Sequence, residues 1–292
     1  MLLARNRTEF DAITAALRPY AEQVEPWLLR QQSVTGWCRA CGAVSRFEVA
    51  PGQSEDSWRS LTEGMVCRCG LNGRMRLILS AVDELLASPG PRVLVLERLT
   101  PLYAPLAARL PGLIGSEYFA DTPSGRTKNV GNTAVRCESM MDLSFPDASL
   151  DVVMHFDVLE HVPDWRIGLR ECARVLVDGG RLLFTCPFFY TMDRNLVRAV
   201  WRDGEIHHLL PPGYHGNPVS AEGSLVFVHP SWEVFDELRP IGFEDAAIAI
   251  NYQVAEGIVS NACPYPDGHV WPIAILATRG ARMSASSPAR RF

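Results

Sequence analysis

The segment Asp142–Pro187, DLSFPDASLDVVMHFDVLEHVPDWRIGLRECARVLVDGGRLLFTCP, leaves a chain that carries it few folds to choose from. A polar turn leads into the apolar run Asp151–Phe156. Trp165–Leu176 then has helical spacing, Gly179-Gly180 is a stop, and Arg181–Cys186 is a second apolar run. Two short runs rich in Val, Leu and Phe around an amphipathic helix predict a β-α-β unit whose parallel strands are buried on both faces. Ligands of such sheets lie beyond the carboxyl ends of the strands. Asp157, Glu160 and His161, just past the first run, therefore mark where chemistry is expected.

At 292 residues the chain can bury a full core, and one domain with a small appendage is the natural expectation. Twenty-eight basic and 33 acidic residues give a net charge of −5, which offers no global basic footprint for nucleic acid. No apolar run reaches membrane-spanning length and the start, MLLARNRTEF, has no signal-peptide core, so a cytoplasmic protein without a membrane partner is expected. In that compartment eight cysteines do not suggest disulfides, and clustered ones suggest metal. Cys38-Arg39-Ala40-Cys41-Gly42 and, after 25 residues, Cys67-Arg68-Cys69-Gly70 offer four thiolates to a structural zinc ion. The second pair is C-x-C, which tightens the knuckle; reduced, unligated thiols are the competing reading. Phe47, Val49 and Trp58 are expected to pack around this ribbon. Its arginines (Arg39, Arg46, Arg59, Arg68, Arg74 and Arg76) leave open a role in docking a carrier protein or nucleic acid.

The first 35 residues read as a helical segment, with Pro19 and Pro26 breaking it into one or two short helices. Residues 36–89 hold the ribbon and a helix Gly73–Leu86 capped by Asn72; Arg74 and Arg76 read as exposed helix arginines, with an anionic ligand as the alternative. Pro89-Gly90-Pro91 marks the boundary of a main domain over 90–279. Arg92–Glu97 is its first strand, and the turn Glu97–Pro101 contains no glycine. A helix Leu102–Leu110 and a short strand Gly112–Glu117 follow. Glu117 stands 20 positions after Glu97, the separation at which dinucleotide-binding folds place a ribose-binding carboxylate. Residues 121–132 read as a polar loop and Ala134–Glu138 as the third strand. Residues 188–229 form a long excursion with His207, His208 and His215, candidates for a general base; hydrogen-bonded structural histidines and a second metal site compete with that reading. A helix Ser231–Leu238 and strands Ala246–Tyr252 and Val270–Thr278 close the domain, and the arginine-containing tail over 280–292 is expected to be disordered.

The central stretch resembles the class I S-adenosylmethionine-dependent methyltransferases of the type 11 kind. The resemblance rests on Asp142, Phe145-Pro146-Asp147, Ser149, Asp151, Leu159-Glu160-His161-Val162, and Arg174-Val175-Leu176 with Gly179-Gly180, in that order. It implies an α/β, Rossmann-like, seven-stranded sheet with helices on both faces. It further implies S-adenosylmethionine held by Glu97, Thr100, Glu117, Tyr118, Met141, Asp142, Leu143, Asp157 and His161. Asp142 would meet the adenine amino group, with Met141 or Leu143 against the base. The acceptor would be a small molecule, and a homodimer is left open. The glycine-free first turn departs from the family pattern and sustains a second hypothesis, a non-catalytic binding or scaffold protein on a degenerate methyltransferase fold.

Overall fold

The apolar runs become neighbouring strands of one nine-stranded sheet in a computed structural model that describes residues 1–50, 60–86, 90–265 and 268–281. In spatial order the strands are Leu2–Ala4, Phe243–Ile250, Ile273–Arg279, Leu176–Thr185, Leu150–Phe156, Val93–Val95, Ile114–Glu117, Thr133–Cys137 and Thr127–Val130. The five strands from Leu176–Thr185 to Thr133–Cys137 are mutually parallel, and Ile273–Arg279 runs antiparallel between its two neighbours. The expected seven strands form the middle, and an edge strand is added on each side. Leu2–Ala4 pairs with Ile248–Ile250, and Thr127–Val130 folds back on Thr133–Arg136 within what reads as a polar loop.

Alternate residues of the central strands enter two cores, as the two-residue period of a strand requires. Leu94, Val153, Leu182 and Phe184 face the helices Trp165–Val175 and Trp232–Ile241 through Leu169, Val234 and Leu238. Val93, Val95, Val152 and Met154 face Gly73–Leu85 and Tyr103–Arg109 through Ile78, Val82 and Leu106. Each such side chain contributes roughly 1.5–3 kcal/mol on burial. Asp164 and Asn72 cap two of these helices, the Asn72 side chain accepting from the Met75 amide at 2.8 Å.

The N-terminal segment departs from expectation. Arg7–Leu29 is one helix with Pro19 and Pro26 inside it. Buried Phe10, Ala21 and Leu28 dock it along its length, and this packing offsets the hydrogen bonds that the prolines remove. Its start is fixed by Asn6 and Glu9, each side chain bonding the other's end of the turn.

Ser33–Cys38, Ala43–Val49 and Met65–Cys67 form the three-stranded ribbon. Phe47 and Val49 are buried there as expected, while Trp58 and Arg59 lie outside the described residues, as do Pro89 and most of the tail. Gly36 lets the ribbon lie against the Val254–Glu256 turn: a Cβ there would stand 2.5 Å from the Ala255 carbonyl oxygen and 2.6 Å from the Phe47 ring. Arg76 is fully buried, which corrects the reading of it as a surface residue. Its guanidinium lies over the Phe47 ring at 4.1 Å and donates to the carbonyls of Leu71 and Met65 on the ribbon side and of Glu256 and Gly257 on the sheet side, at 2.7–3.0 Å. The excursion 188–229 contains three two-stranded pairs: Leu196–Val197 with Val228–His229, Ala199–Arg202 with Glu205–His208, and Tyr214–Asn217 with Ser220–Leu225.

Candidate active site

Strand order reverses at Val93–Val95, which lies between Ile114–Glu117 and Leu150–Phe156. That reversal opens a crevice beyond the carboxyl ends of the strands. Glu97, just past the first of them, is buried. Its Oε1 receives the Thr100 hydroxyl, while its Oε2 has no hydrogen-bond partner. Burial pushes the Glu97 carboxyl up to about 7, against the opposing pull of Arg74.

Glu117 answers for the missing glycines. Its Oε1 accepts from the backbone amides of Arg98 and Leu99, both at 2.8 Å, so the carboxylate holds the turn from the neighbouring strand. Burial nonetheless raises the Glu117 carboxyl above its ordinary range. Of the Glu117 oxygens, Oε2 makes neither of these turn contacts. Thr100 also accepts from the Leu102 amide at 3.3 Å, and Tyr118 is exposed.

Asp157 follows its strand in a left-handed conformation, φ 50°, which aspartate tolerates better than most residues. Its Oδ1 accepts from the Thr185 hydroxyl at 2.8 Å, and its Oδ2 lies 2.9 Å from Nε of Arg74. Arg74 also reaches Oε1 of Glu63 at 3.0 Å, and its side chain is 19% exposed. This corrects the reading of Arg74 as an exposed helix arginine: it is part of the site. Burial works against its charge, but Asp157, Glu63 and Glu97 more than compensate and hold it protonated. At the third strand Asp142 is exposed and Met141 half-buried, whereas Leu143 lies in the core and its amide donates to Glu171.

Beyond Asp157 the excursion comes down onto the site. His215 Nδ1 lies 3.6 Å and His161 Nε2 lies 3.7 Å from Oε1 of Glu160, and the two imidazoles meet edge to face with centroids 5.0 Å apart. His161 Nδ1 bonds the Leu225 carbonyl at 2.8 Å, and the Phe227 amide bonds the Glu160 carbonyl at 2.8 Å. Glu160 is fully buried, and neither carboxylate oxygen has a hydrogen-bond partner. Burial raises its carboxyl, and the Glu160 carboxylate in turn raises His215. Of the three histidine candidates His215 reaches the site. His207 and His208 are exposed on the Ala199–His208 hairpin, paired with Val200 and Ala199, with no contact to Glu160 among the described residues.

The cysteine pairs also converge. Cys38 and Cys69 sulfurs stand 3.7 Å apart, those of Cys41 and Cys67 3.8 Å, and all four lie within 4.8 Å of one another. Four sulfurs around a zinc ion at about 2.3 Å stand roughly 3.8 Å apart, so the donor set and spacing fit that ion. Sequence reasoning offered Arg74 only as an alternative contact for an anion and missed the partnership of Glu160 with His215. Nothing local signals either pairing, because Asp157 and His215 come from segments distant from Arg74 and Glu160.

This geometry places buried carboxylates in a crevice at the carboxyl ends of a methyltransferase-like sheet. Residues 97–184 match the family model described as a methyltransferase domain. Over 118 residues the chain is 37% identical to 27-O-demethylrifamycin SV methyltransferase of Amycolatopsis mediterranei, covering 34% of this chain and 42% of that one. It is 28% identical over 103 residues to a ubiquinone biosynthesis O-methyltransferase of Coxiella burnetii, covering 34% and 39%. The chain thus spans under half the length of these curated relatives. Among solved structures, an S-adenosylmethionine-dependent methyltransferase of Mesorhizobium loti superposes with a TM-score of 0.39 at 18% identity, covering 68% of this chain and 96% of that one. The matched span, residues 97–184, is similar to methyltransferase domains and makes up under a third of the chain. Among the described residues no helix is long and apolar enough to cross a membrane.

Proposed function

We propose that this chain transfers a methyl group from S-adenosylmethionine to a small-molecule acceptor and carries a structural zinc ion in its ribbon. The observation that carries the reading is the set of carboxylates Glu97, Glu117 and Asp157 at the ends of adjacent parallel strands where strand order reverses. Bound there, the cofactor supplies an electrophilic methyl sulfonium. Oε2 of Glu117 suits a ribose hydroxyl, and exposed Asp142 suits the adenine amino group beside Met141. The unpartnered Oε2 of Glu97 suits the ammonium, and Arg74 the carboxylate, of the amino-acid part.

Glu160, His161 and His215 lie on the acceptor side, where a nucleophile can be aligned and relieved of its proton. The relatives' names, a 27-O-demethyl substrate in one and an O-methyltransferase in the other, favour an oxygen nucleophile. Zinc is supported by the spacing of the four sulfurs, and its closed coordination gives it a structural role.

Calorimetric titration of the zinc-loaded protein with S-adenosylmethionine and with its demethylated product tests the reading. Saturable binding that weakens on Asp142→Ala supports it. Binding of neither ligand sinks it and promotes the scaffold hypothesis, which the glycine-free turn Glu97–Pro101 favours.

A further inference from the structure

Glu160 presents a puzzle that the cofactor crevice does not resolve. Its carboxylate is buried, with 1% side-chain exposure, and both oxygens are without a hydrogen-bond partner. A buried carboxylate left in that state costs several kcal/mol unless something positive meets it. Two imidazole nitrogens point at its Oε1, from 3.6 and 3.7 Å, both too far for a good hydrogen bond.

The tautomer of His161 sharpens the point. A carbonyl oxygen can only accept, so Nδ1 of His161 carries the hydrogen that it donates to Leu225, at 2.8 Å. When that ring is neutral, its Nε2 turns a lone pair toward a carboxylate oxygen. Two electron-rich atoms face each other, and His215 Nδ1 closes the same triangle, the ligand atoms lying within 4.8 Å of one another. One proton can bridge a single pair of these atoms; a cation at the centre meets all three.

We infer that Glu160, His161 and His215 form a binding site for a divalent first-row transition-metal ion, distinct from the four-cysteine site. Two histidines and one carboxylate are a donor set that such ions take with open coordination positions. At metal–ligand distances of about 2.1 Å, neighbouring donors stand roughly 3.0–3.5 Å apart, so a few tenths of an ångström of side-chain movement closes the two nitrogen–oxygen separations, and the two nitrogens, within 4.8 Å of each other, draw together around the ion. The bond from His161 to Leu225 is the kind of outer contact that orients a ligating imidazole. Asp157 lies outside this cluster, with Thr185 and Arg74 at its two oxygens. An ion held by these three residues would leave positions for an oxygen donor of the substrate and would lower the pKa of a bound hydroxyl. This deepens the methyltransferase reading and rests on it for the identity of the substrate, though not for the ion.

The test titrates zinc-loaded protein, whose cysteine site is filled, with manganese(II) and separately with cobalt(II), followed by calorimetry and, for cobalt, by visible absorption. One saturable equivalent is expected, without thiolate–cobalt bands, and weakened at least tenfold by His215→Ala and by Glu160→Gln. His215 lies on an exposed hairpin, so its variant keeps the fold and remains decisive if the buried Glu160→Gln protein does not. Binding of neither ion, or binding unchanged in His215→Ala, overturns the site. S-adenosylmethionine is titrated into the same preparation. Cofactor binding without metal binding removes the ion and leaves the methyltransferase reading intact; metal binding without cofactor binding does the reverse.

Discussion

Nε of Arg74 lies 2.9 Å from Oδ2 of Asp157, so a helix that begins at the end of the ribbon places its guanidinium at the carboxyl end of a central strand. The pair is screened from solvent, and Asp157, Glu63 and Glu97 all lean on one cation. Arg74→Ala is expected to weaken S-adenosylmethionine binding 10- to 100-fold, about 1.4–2.7 kcal/mol, by calorimetry. Arg74→Lys recovers part of the loss, because an ammonium keeps the charge and loses the planar fork. Unchanged affinity in Arg74→Ala would remove this residue from the cofactor site.

Glu117 has two separable duties. Its Oε1 pins the amides of Arg98 and Leu99, and its Oε2 is open to a hydroxyl. Glu117→Gln retains a carbonyl acceptor for the turn, so melting is expected to stay within about 2 °C of wild type while cofactor affinity falls roughly tenfold. Glu117→Ala loses both and melts lower. Equal melting of the two variants would deny the turn-holding role.

Removal of zinc should be felt well beyond the ribbon. The Cys67 amide bonds the Leu71 carbonyl at 2.9 Å, and Asn72 then caps the helix that bears Arg74. Cys67→Ser, or chelation of the wild type, is expected to release one zinc equivalent by elemental analysis. It should lower Tm by at least about 5 °C and weaken cofactor binding. Retention of melting and affinity after complete metal loss would make the ion dispensable.

His155 sets an acid limit. It sits fully buried in the Leu150–Phe156 strand, stacked on Phe184 at 4.8 Å, and neither ring nitrogen has a partner. Burial lowers its pKa to about 3 from the usual 6.5. Between those values the unfolded chain binds a proton that the folded chain refuses. Stability from this residue is therefore full above pH 6.5 and lost on acidification, at about 1.4 kcal/mol per pH unit. His155→Leu should flatten that slope and gain about 2 kcal/mol at pH 5 relative to its effect at pH 7, measured by urea unfolding. Parallel acid limbs for the two proteins would contradict this.

What could be read in advance follows physical rules. The strand Leu150–Phe156 and helix Trp165–Val175 fall within a residue or so of their expected bounds, since buried parallel strands and an amphipathic helix write strong periodicities. Leu2–Ala4 is three residues long, too short to show a period, and Thr127–Val130 is an edge strand held by backbone bonds while its side chains stay polar. The cysteine cluster was legible because ligand spacing is local. The Glu160–His215 relationship was not, for those residues are 55 apart and only the returning hairpin Tyr214–Leu225 joins them. Pro19 and Pro26 misled in the opposite sense, as tertiary packing overrode a sound local preference.

Arg76 bears on how this architecture can be cut or inherited. Its guanidinium is riveted to carbonyls from both sides of the junction, Leu71 and Met65 on one and Glu256 and Gly257 on the other. A fragment trimmed to begin near residue 90 would strip the apolar floor made by Ile78 and Val82 from one face of the sheet and leave the carbonyls at 256 and 257 without their donor. The ribbon is therefore no detachable accessory: recombination that swapped it for another would need to bring a matching arginine with it.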